Sequence, residues 1–452
     1  MISNAMILLN GVESDTSRAF FRALGRQTIF LKRRWKAAPL GLARFEALTG
    51  LVYGSLALEG LEHLVGSAAR ALGSECNRVV DAKGGLPGRS PEDLLEVFTL
   101  LNWAATTLSE AGRMPEEGHY TAIERIAPVL RALRHSDGGL ARFHGGGRGL
   151  EGRLEHALAT SGIRTAGTTG PAMGFARLSE GRTTVIVDAA APPMGEPSAN
   201  AHASTLAFEM TSGRRPVIVN CGSGANFGES WQQAGRATPS HSTLGIEGYS
   251  SSLLGPGKLW SGRVVELLVE TPKTVAVDER MGQTGPHLSL THDGYIETHG
   301  LAHTRTIELS TDGRSLQGSD SLSPQGPEAE KRFNRAFDQV KLTGIPFAVR
   351  FHLHPDADPR VDMGGSAVSV ALKSGEIWVF RFSGPAQLAL EPSVYLEKTA
   401  LTPRATQQIV LHAAAMEYTT TLNWSFAKAQ ETPTYLRDFE FDDAEDVLAV
   451  SG

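Results

Sequence analysis

Cysteine is nearly absent: the 452 residues hold two, Cys76 and Cys221. Two thiols so far apart build no disulfide framework, and Cys221, in an apolar run, reads as a small buried hydrophobe. Long apolar runs are missing too, which excludes a membrane-spanning helix. The start, Met1-Ile2-Ser3-Asn4-Ala5-Met6, lacks the basic region and apolar core of a secretory signal. Basic charge is not in excess, with 43 Lys+Arg against 49 Asp+Glu and a formal charge of −6. Without a basic stripe and interleaved aromatics, a nucleic-acid partner finds no footing. There is no Gly-x-Ser-x-Gly elbow, which disfavours a serine hydrolase. Gly149-Leu150-Glu151-Gly152 has no phosphate-loop context. These absences predict a cytoplasmic protein, or a periplasmic one if the natural N-terminus is longer.

What is present divides in two. The length exceeds one ordinary core, so two domains are expected. From 15 to 160 the apolar residues recur at helical spacing. Ser90-Pro91-Glu92-Asp93 is a helix start, with Ser as N-cap, Pro in the first turn and acids facing the dipole. A further helix is predicted from about Tyr120 to Leu133. From 175 onward the period becomes alternating, with many Gly, Pro and Asp turns; the chain has 49 glycines. Candidate strands include Thr183–Asp188, Ser204–Met210, Pro216–Asn220, Arg263–Glu270, Thr304–Ser310, Ala348–Leu353 and Tyr418–Ser425. Helices first and strands second make an α+β chain with segregated halves: a helical domain over 1–165 and a large antiparallel β-sandwich over 166–452. The acids Asp438, Glu440, Asp442, Asp443, Glu445 and Asp446 read as a solvated tail.

Polar residues concentrate between 200 and 244. Asn200, His202, Asn220 and His241 recur at strand-like positions separated by turns, so a sheet could gather them onto one face. Arg236 sits in a Gly/Thr/Pro-rich loop, and its planar fork suits a carboxylate or sulfate. Arg214-Arg215 reads as a solvated hairpin tip. His135 and His144 lie in glycine-bordered loops, as incidental surface groups or as acid/base candidates. In His303-Thr304-Arg305 the polar residues His303 and Arg305 share one strand face.

These segments resemble the heparinase II/III-like polysaccharide lyases. That family carries His-x-His, Val-Asp-x-Gly and Ala-His-(Asn/Ser)-Thr segments in this order. Here they stand as Asn200-Ala201-His202, Val219-Asn220-Cys221-Gly222 and Ser240-His241-Ser242-Thr243. The match continues in His292-Asp293-Gly294-Tyr295, Gly300-Leu301-Ala302-His303-Thr304-Arg305 and Arg350-Phe351-His352-Leu353-His354-Pro355. In the helical half, Gly84-Gly85-Leu86-Pro87-Gly88-Arg89-Ser90-Pro91 resembles the family's Gly-Gly-x-x-x-Arg-Ser-Pro. The resemblance names the helical half an incomplete α/α toroid, short of upstream helices: residues 2–9 look like an internal helix of longer members.

It also implies an activity: β-elimination in an acidic, uronate-containing polysaccharide, in the cleft between the halves. The C5 proton leaves only when the carboxylate is neutralised and a base stands within reach. Asn200 and Arg236 are the candidates for neutralisation, with Arg89 and His135 as further substrate contacts. His202 or His144 is the candidate for proton transfer, with Tyr249 as another donor. The family's zinc would fall to His202, Asn220 and His241, with an amide where a carboxylate is usual. The family's tyrosine after Arg-Ser-Pro has no counterpart; Asp93 and Leu94 stand at that offset. Two rival readings follow: a non-catalytic glycan-binding protein on the same scaffold, and a hydrolase using paired carboxylates among Asp93, Glu96 and Asp137. The oligomeric state is left open.

Overall fold

The computed structural model describes residues 10, 14–164, 170–260, 263–341 and 343–429. The acidic tail and the segment 2–9 lie outside these residues, as does the expected boundary at 165/166.

Six helices open the described chain: Ser14–Arg34, Leu42–Ala57, Val65–Val79, Pro91–Glu110, Glu117–Ala132 and Arg153–Ser161. The Pro91 helix starts as its sequence dictates, with the Ser90 hydroxyl accepting from the Asp93 amide at 3.3 Å. Leu48, Val52, Leu72, Phe98, Leu101 and Ile126 are among the side chains of one apolar core. That core also takes in Phe175 and Ile186 from the first sheet and Ala207 from the turn before Phe208, so the helices pack directly onto the sandwich.

Two eight-stranded antiparallel sheets follow. The first runs, in spatial order, Phe175–Glu180, Thr183–Asp188, Phe208–Ser212, Arg215–Val219, Ile345–Leu353, Arg404–Ala415 and Ala386–Tyr395, with Leu244–Ile246 also paired to Ile345–Leu353. The second runs Val275–Met281, Pro286–Tyr295, Leu301–Leu309, Ser315–Ser323, Thr420–Lys428, Ile377–Ser383, Ala367–Ala371 and Asp358–Asp362. The expected α+β order is the observed one.

Alternation along the strands sets the layers. In Thr183–Asp188, Val185 and Val187 enter the core between the sheets, while Ile186 joins the helical core. Phe208 of the first sheet stacks on Trp424 of the second, rings 5.7 Å apart. Fully burying such rings contributes about 2–3 kcal/mol each. Three expected strands differ. Residues 204–207 form a turn, with Leu206 at φ 63°, and the strand starts only at Phe208. Arg263–Glu270 breaks into two short strands, Arg263–Val265 and Leu268–Glu270, because each pairs with a different partner. Pro216–Asn220 stops at Val219, so Asn220 lies beyond the strand.

One charged group is set deep in the sandwich. Arg305 donates to both oxygens of Asp320, at 2.8 and 3.0 Å, and to the carbonyls of Leu206 and Ser242. His303 and Trp424 complete the carboxylate's shell at 2.7 and 2.8 Å. Arg305, Asp320 and His303 are fully buried. The Arg305 charge and the His303 hydrogen bond overcome burial and hold the Asp320 carboxyl well below the usual range. Unpaired, such a charge would be expelled from the core.

Candidate functional site

His202 and His241 do converge, but from loops rather than strands. His202 follows the short helical turn Glu196–Asn200, and His241 follows the turn Thr238–Ser240. His202 Nδ1 lies 3.0 Å from His241 Nε2. His241 Nδ1 is 2.9 Å from the Ala237 carbonyl, so that nitrogen carries the proton. His241 Nε2 is then the lone pair, and His202 donates to it from Nδ1. The remaining nitrogen, His202 Nε2, bears no proton. Both rings stay neutral: burial holds His241 down at about 3 and, helped by the neighbouring His241, pushes His202 well below the usual histidine range.

Asn220 stands beside them, but its groups are committed. Its side-chain oxygen accepts the Ser242 amide at 3.0 Å, and its NH2 is turned to Glu209 at 3.4 Å. A zinc ion would have two imidazoles, already bonded to each other, and a neutral amide already bonded elsewhere. Zinc favours His, Cys and carboxylate, with all lone pairs available. Among the described residues no group of three His, Cys, Asp or Glu could hold a metal. The donor set does not fit zinc, and no chemistry here is routed through one.

The substrate-facing arginines also turn inward, which corrects their expected role. Arg236 donates to the carbonyls of Ala201, Ser198 and Glu266 at 2.8, 2.8 and 2.9 Å. It fastens the 198–201 turn against its own helix, Glu229–Arg236. Burial brings its guanidinium down to about 10. Arg89, at φ 51°, donates to four backbone carbonyls and to Asp188 Oδ1 at 2.6 Å.

Asp188 and Glu209 were not anticipated as site residues, yet they organise this region. Both point from the first sheet toward the helices, and both are buried. Asp188 is answered by Arg89, by His144 at 3.5 Å and by the Ser204 hydroxyl at 2.7 Å. Glu209 is answered by His135 at 3.4 Å and by the Arg142 amide at 2.9 Å. The Arg142 guanidinium reaches the carbonyls of Asn220, Cys221 and Leu396 and lies 4.0 Å over the Tyr395 ring. The signal was present in the sequence: Asp188 ends the run Val185-Ile186-Val187, and Glu209 sits between Phe208 and Met210. A charge inside an apolar run announces a buried pair.

His144 and His135 are therefore interlocks, not surface acid/base groups. His144 has no exposed surface. Its Nδ1 accepts the His202 amide at 3.2 Å, which leaves Nε2–H facing Asp188. Tyr249 is 47% exposed and sets its ring edge-on to His299, 4.4 Å away. No described contact joins it to the histidine pair. The carboxylate pair also fails to face across a cleft. Asp93 and Glu96 lie on the same helix, and Asp137 accepts within its own turn from Gly139. Burial raises the Asp93 and Glu96 carboxyls, opposed by Lys398 and Arg153 respectively.

Asn200 is the exposed member of the group. Its backbone and Cβ lie over Gly145, which is at φ 76° where a side chain would press on Asn200 within about 3.1 Å. Next to it, Gly147 donates to Glu92, and Lys398 from the sandwich pairs with the same carboxylate. The mouth of the site is thus an amide, a glycine turn and a cross-half ion pair. Below it, His202 is 4% and His241 1% exposed.

Comparison with known proteins agrees with this architecture. The family model for the heparinase II/III-like C-terminal domain matches residues 163–425. FtsZ-localized protein C of Caulobacter vibrioides is 30% identical over 421 residues, which span 90% of this chain and 69% of that protein. Among solved structures, heparinase III aligns with a TM-score of 0.67 at 12% identity, over 94% of this chain and 68% of the other. Heparan sulfate lyase HepC from Pedobacter heparinus aligns with a TM-score of 0.62 at 13% identity, over 92% of this chain and 64% of the other. No helix among the described residues is long and apolar enough to cross a membrane. By fold, by order of motifs and by sequence, the chain belongs to the heparinase II/III-like family.

Proposed function

We propose that this chain binds a glycan in the cleft between its halves without cleaving it. One observation carries the reading. The groups that would neutralise a uronate and move its proton come together, but they are bonded to one another and sealed from solvent. Arg236 and Arg89 serve backbone carbonyls, His144 serves Asp188, and His202 and His241 serve each other. Elimination needs a base and a charge-neutralising donor in reach of one sugar ring. The candidate left exposed beside them is Asn200, which donates and accepts but titrates nothing.

The test pairs two measurements on one panel of uronate polysaccharides. Calorimetry reports binding, and ultraviolet absorbance reports the unsaturated uronide that elimination leaves. Binding without absorbance is expected, weakened in Asn200→Ala and retained in His202→Ala. Absorbance that rises with the wild type and vanishes in His202→Ala would overturn the proposal.

That second outcome belongs to a polysaccharide lyase, a reading favoured by the unprotonated Nε2 of His202 below exposed Asn200. The name of the Caulobacter relative ties that protein to FtsZ. For this chain we take FtsZ as the proposed protein partner. Co-sedimentation with FtsZ polymers should carry the chain into the pellet, and a chain left in the supernatant would remove FtsZ from the proposal.

A further inference from the structure

A second groove lies far from the cleft, on the outer face of the second sheet. Its volume is about 610 Å³. Strand register explains what lines it. Pairing sets His287, Glu308, Gln317, Ser425 and Arg381 side by side on five neighbouring strands. The next outward row is Ser289, Thr306, Ser319, Asn423 and Ser383, set by the same registers. At about 4.8 Å between strands, Glu308 and Arg381 stand about 14 Å apart across the sheet. The sandwich core takes the alternate residues, and no aliphatic side chain lines the groove.

A Cβ on Gly318 would come within 2.3 Å of the Trp424 ring and 2.7 Å of the Thr306 carbonyl. Glycine there leaves room for the indole on the core side of the sheet, where it stacks on Phe208. The outward rows thus offer hydroxyls and amides. A carboxylate, Glu308, held by the Thr284 amide and hydroxyl, stands toward one end. At the other stands Arg381, whose described hydrogen bond goes only to the Met363 sulfur at 3.9 Å. At the Glu308 end, His287 Nδ1 is buried without a hydrogen-bond partner.

We propose that this groove is a second glycan site, taking a short oligosaccharide with an acidic ring at Arg381. The chemistry selects that class. The strands beneath are paired on both sides, so a peptide cannot join the sheet as an added strand. One guanidinium balanced by one carboxylate gives no phosphate track for a nucleic acid. Rows of Ser, Thr, Asn and Gln match the hydroxyl edge of a polyol. The Arg381 fork matches a sugar carboxylate.

The experiment titrates the full chain with short uronate oligosaccharides and with neutral ones of equal length. Arg381→Ala should abolish the preference for the uronate series. Ser319→Phe, which fills the groove from an outward position, should lower affinity at least ten-fold. Asn423→Ala provides a milder variant should the phenylalanine disturb folding, and its loss should be several-fold. Uptake that persists unchanged in the Arg381→Ala and Asn423→Ala variants belongs to the cleft and overturns the groove. No uptake by the wild-type chain overturns it as well. A failure of the cleft reading shows separately, in Asn200→Ala.

Discussion

His202 gives its Nδ1 proton to His241 Nε2 across 3.0 Å, and His241 gives its own to the Ala237 carbonyl at 2.9 Å. Burial keeps both rings neutral. It also makes the protein sensitive to acid.

Buried neutral histidines bind fewer protons than the same residues do in the unfolded chain. His241 is held at about 3, and His352 and His354 at about 4, all by burial. Unfolded, each takes its proton near pH 6.5. The stability they secure is complete above that pH and is lost as pH falls toward 4 and 3. The urea midpoint should be lower at pH 5.5 than at pH 7.5. An equal or higher midpoint at pH 5.5 would show that these rings are already charged in the fold.

The Arg305–Asp320 pair predicts an asymmetric mutant series. Asp320→Asn leaves a guanidinium buried without its counter-charge and should cost about 3–5 kcal/mol in urea unfolding. The double change Arg305→Met with Asp320→Leu removes both charges and should cost less than the single one. A double variant weaker than Asp320→Asn would mean that the pair stabilises the fold by more than mutual neutralisation.

Arg236 makes a related case with no counter-ion in contact. Three carbonyls depend on it, and Arg236→Ala should lower stability by about 3 kcal/mol. Lysine cannot reach three carbonyls with a fork, so Arg236→Lys should recover only a fraction. Full recovery by lysine, measured by thermal denaturation, would show that charge alone matters at this position.

Asn220 predicts a gain of function. Asn220→Asp supplies the missing carboxylate but places it against Glu209, which the amide now satisfies at 3.4 Å. The variant should be less stable than the wild type without metal, and zinc should raise its melting temperature. Binding to the folded state alone stabilises by mass action. Zinc that raises the wild-type temperature equally would show that the amide already serves as a ligand.

Much of the architecture was legible because it rests on period. Helical spacing up to 160, alternation after 175 and the Ser90-Pro91 cap are local signals, and local packing obeys them. The convergence of His202, Asn220 and His241 was legible from motif order. Their accessibility was not. A sequence shows that Arg236 carries a guanidinium, but not that three carbonyls 30 to 38 residues away have claimed it. His135 and His144 misled for a like reason. Glycine-bordered loops are usually solvated, whereas these are clamped between the helices and the sheet by Glu209 and Asp188.

Arg142 has a consequence for how the molecule comes apart. Its backbone bonds to Glu209, and its guanidinium is plugged into the ends of strands from distant parts of the sandwich. Pulling the helices away would draw the cation out of its dry socket and leave the Asn220 and Leu396 oxygens bare, while the Cys221 oxygen keeps the Leu396 amide. Heating should therefore meet a single cooperative block: one calorimetric peak, with helix and sheet signals lost together.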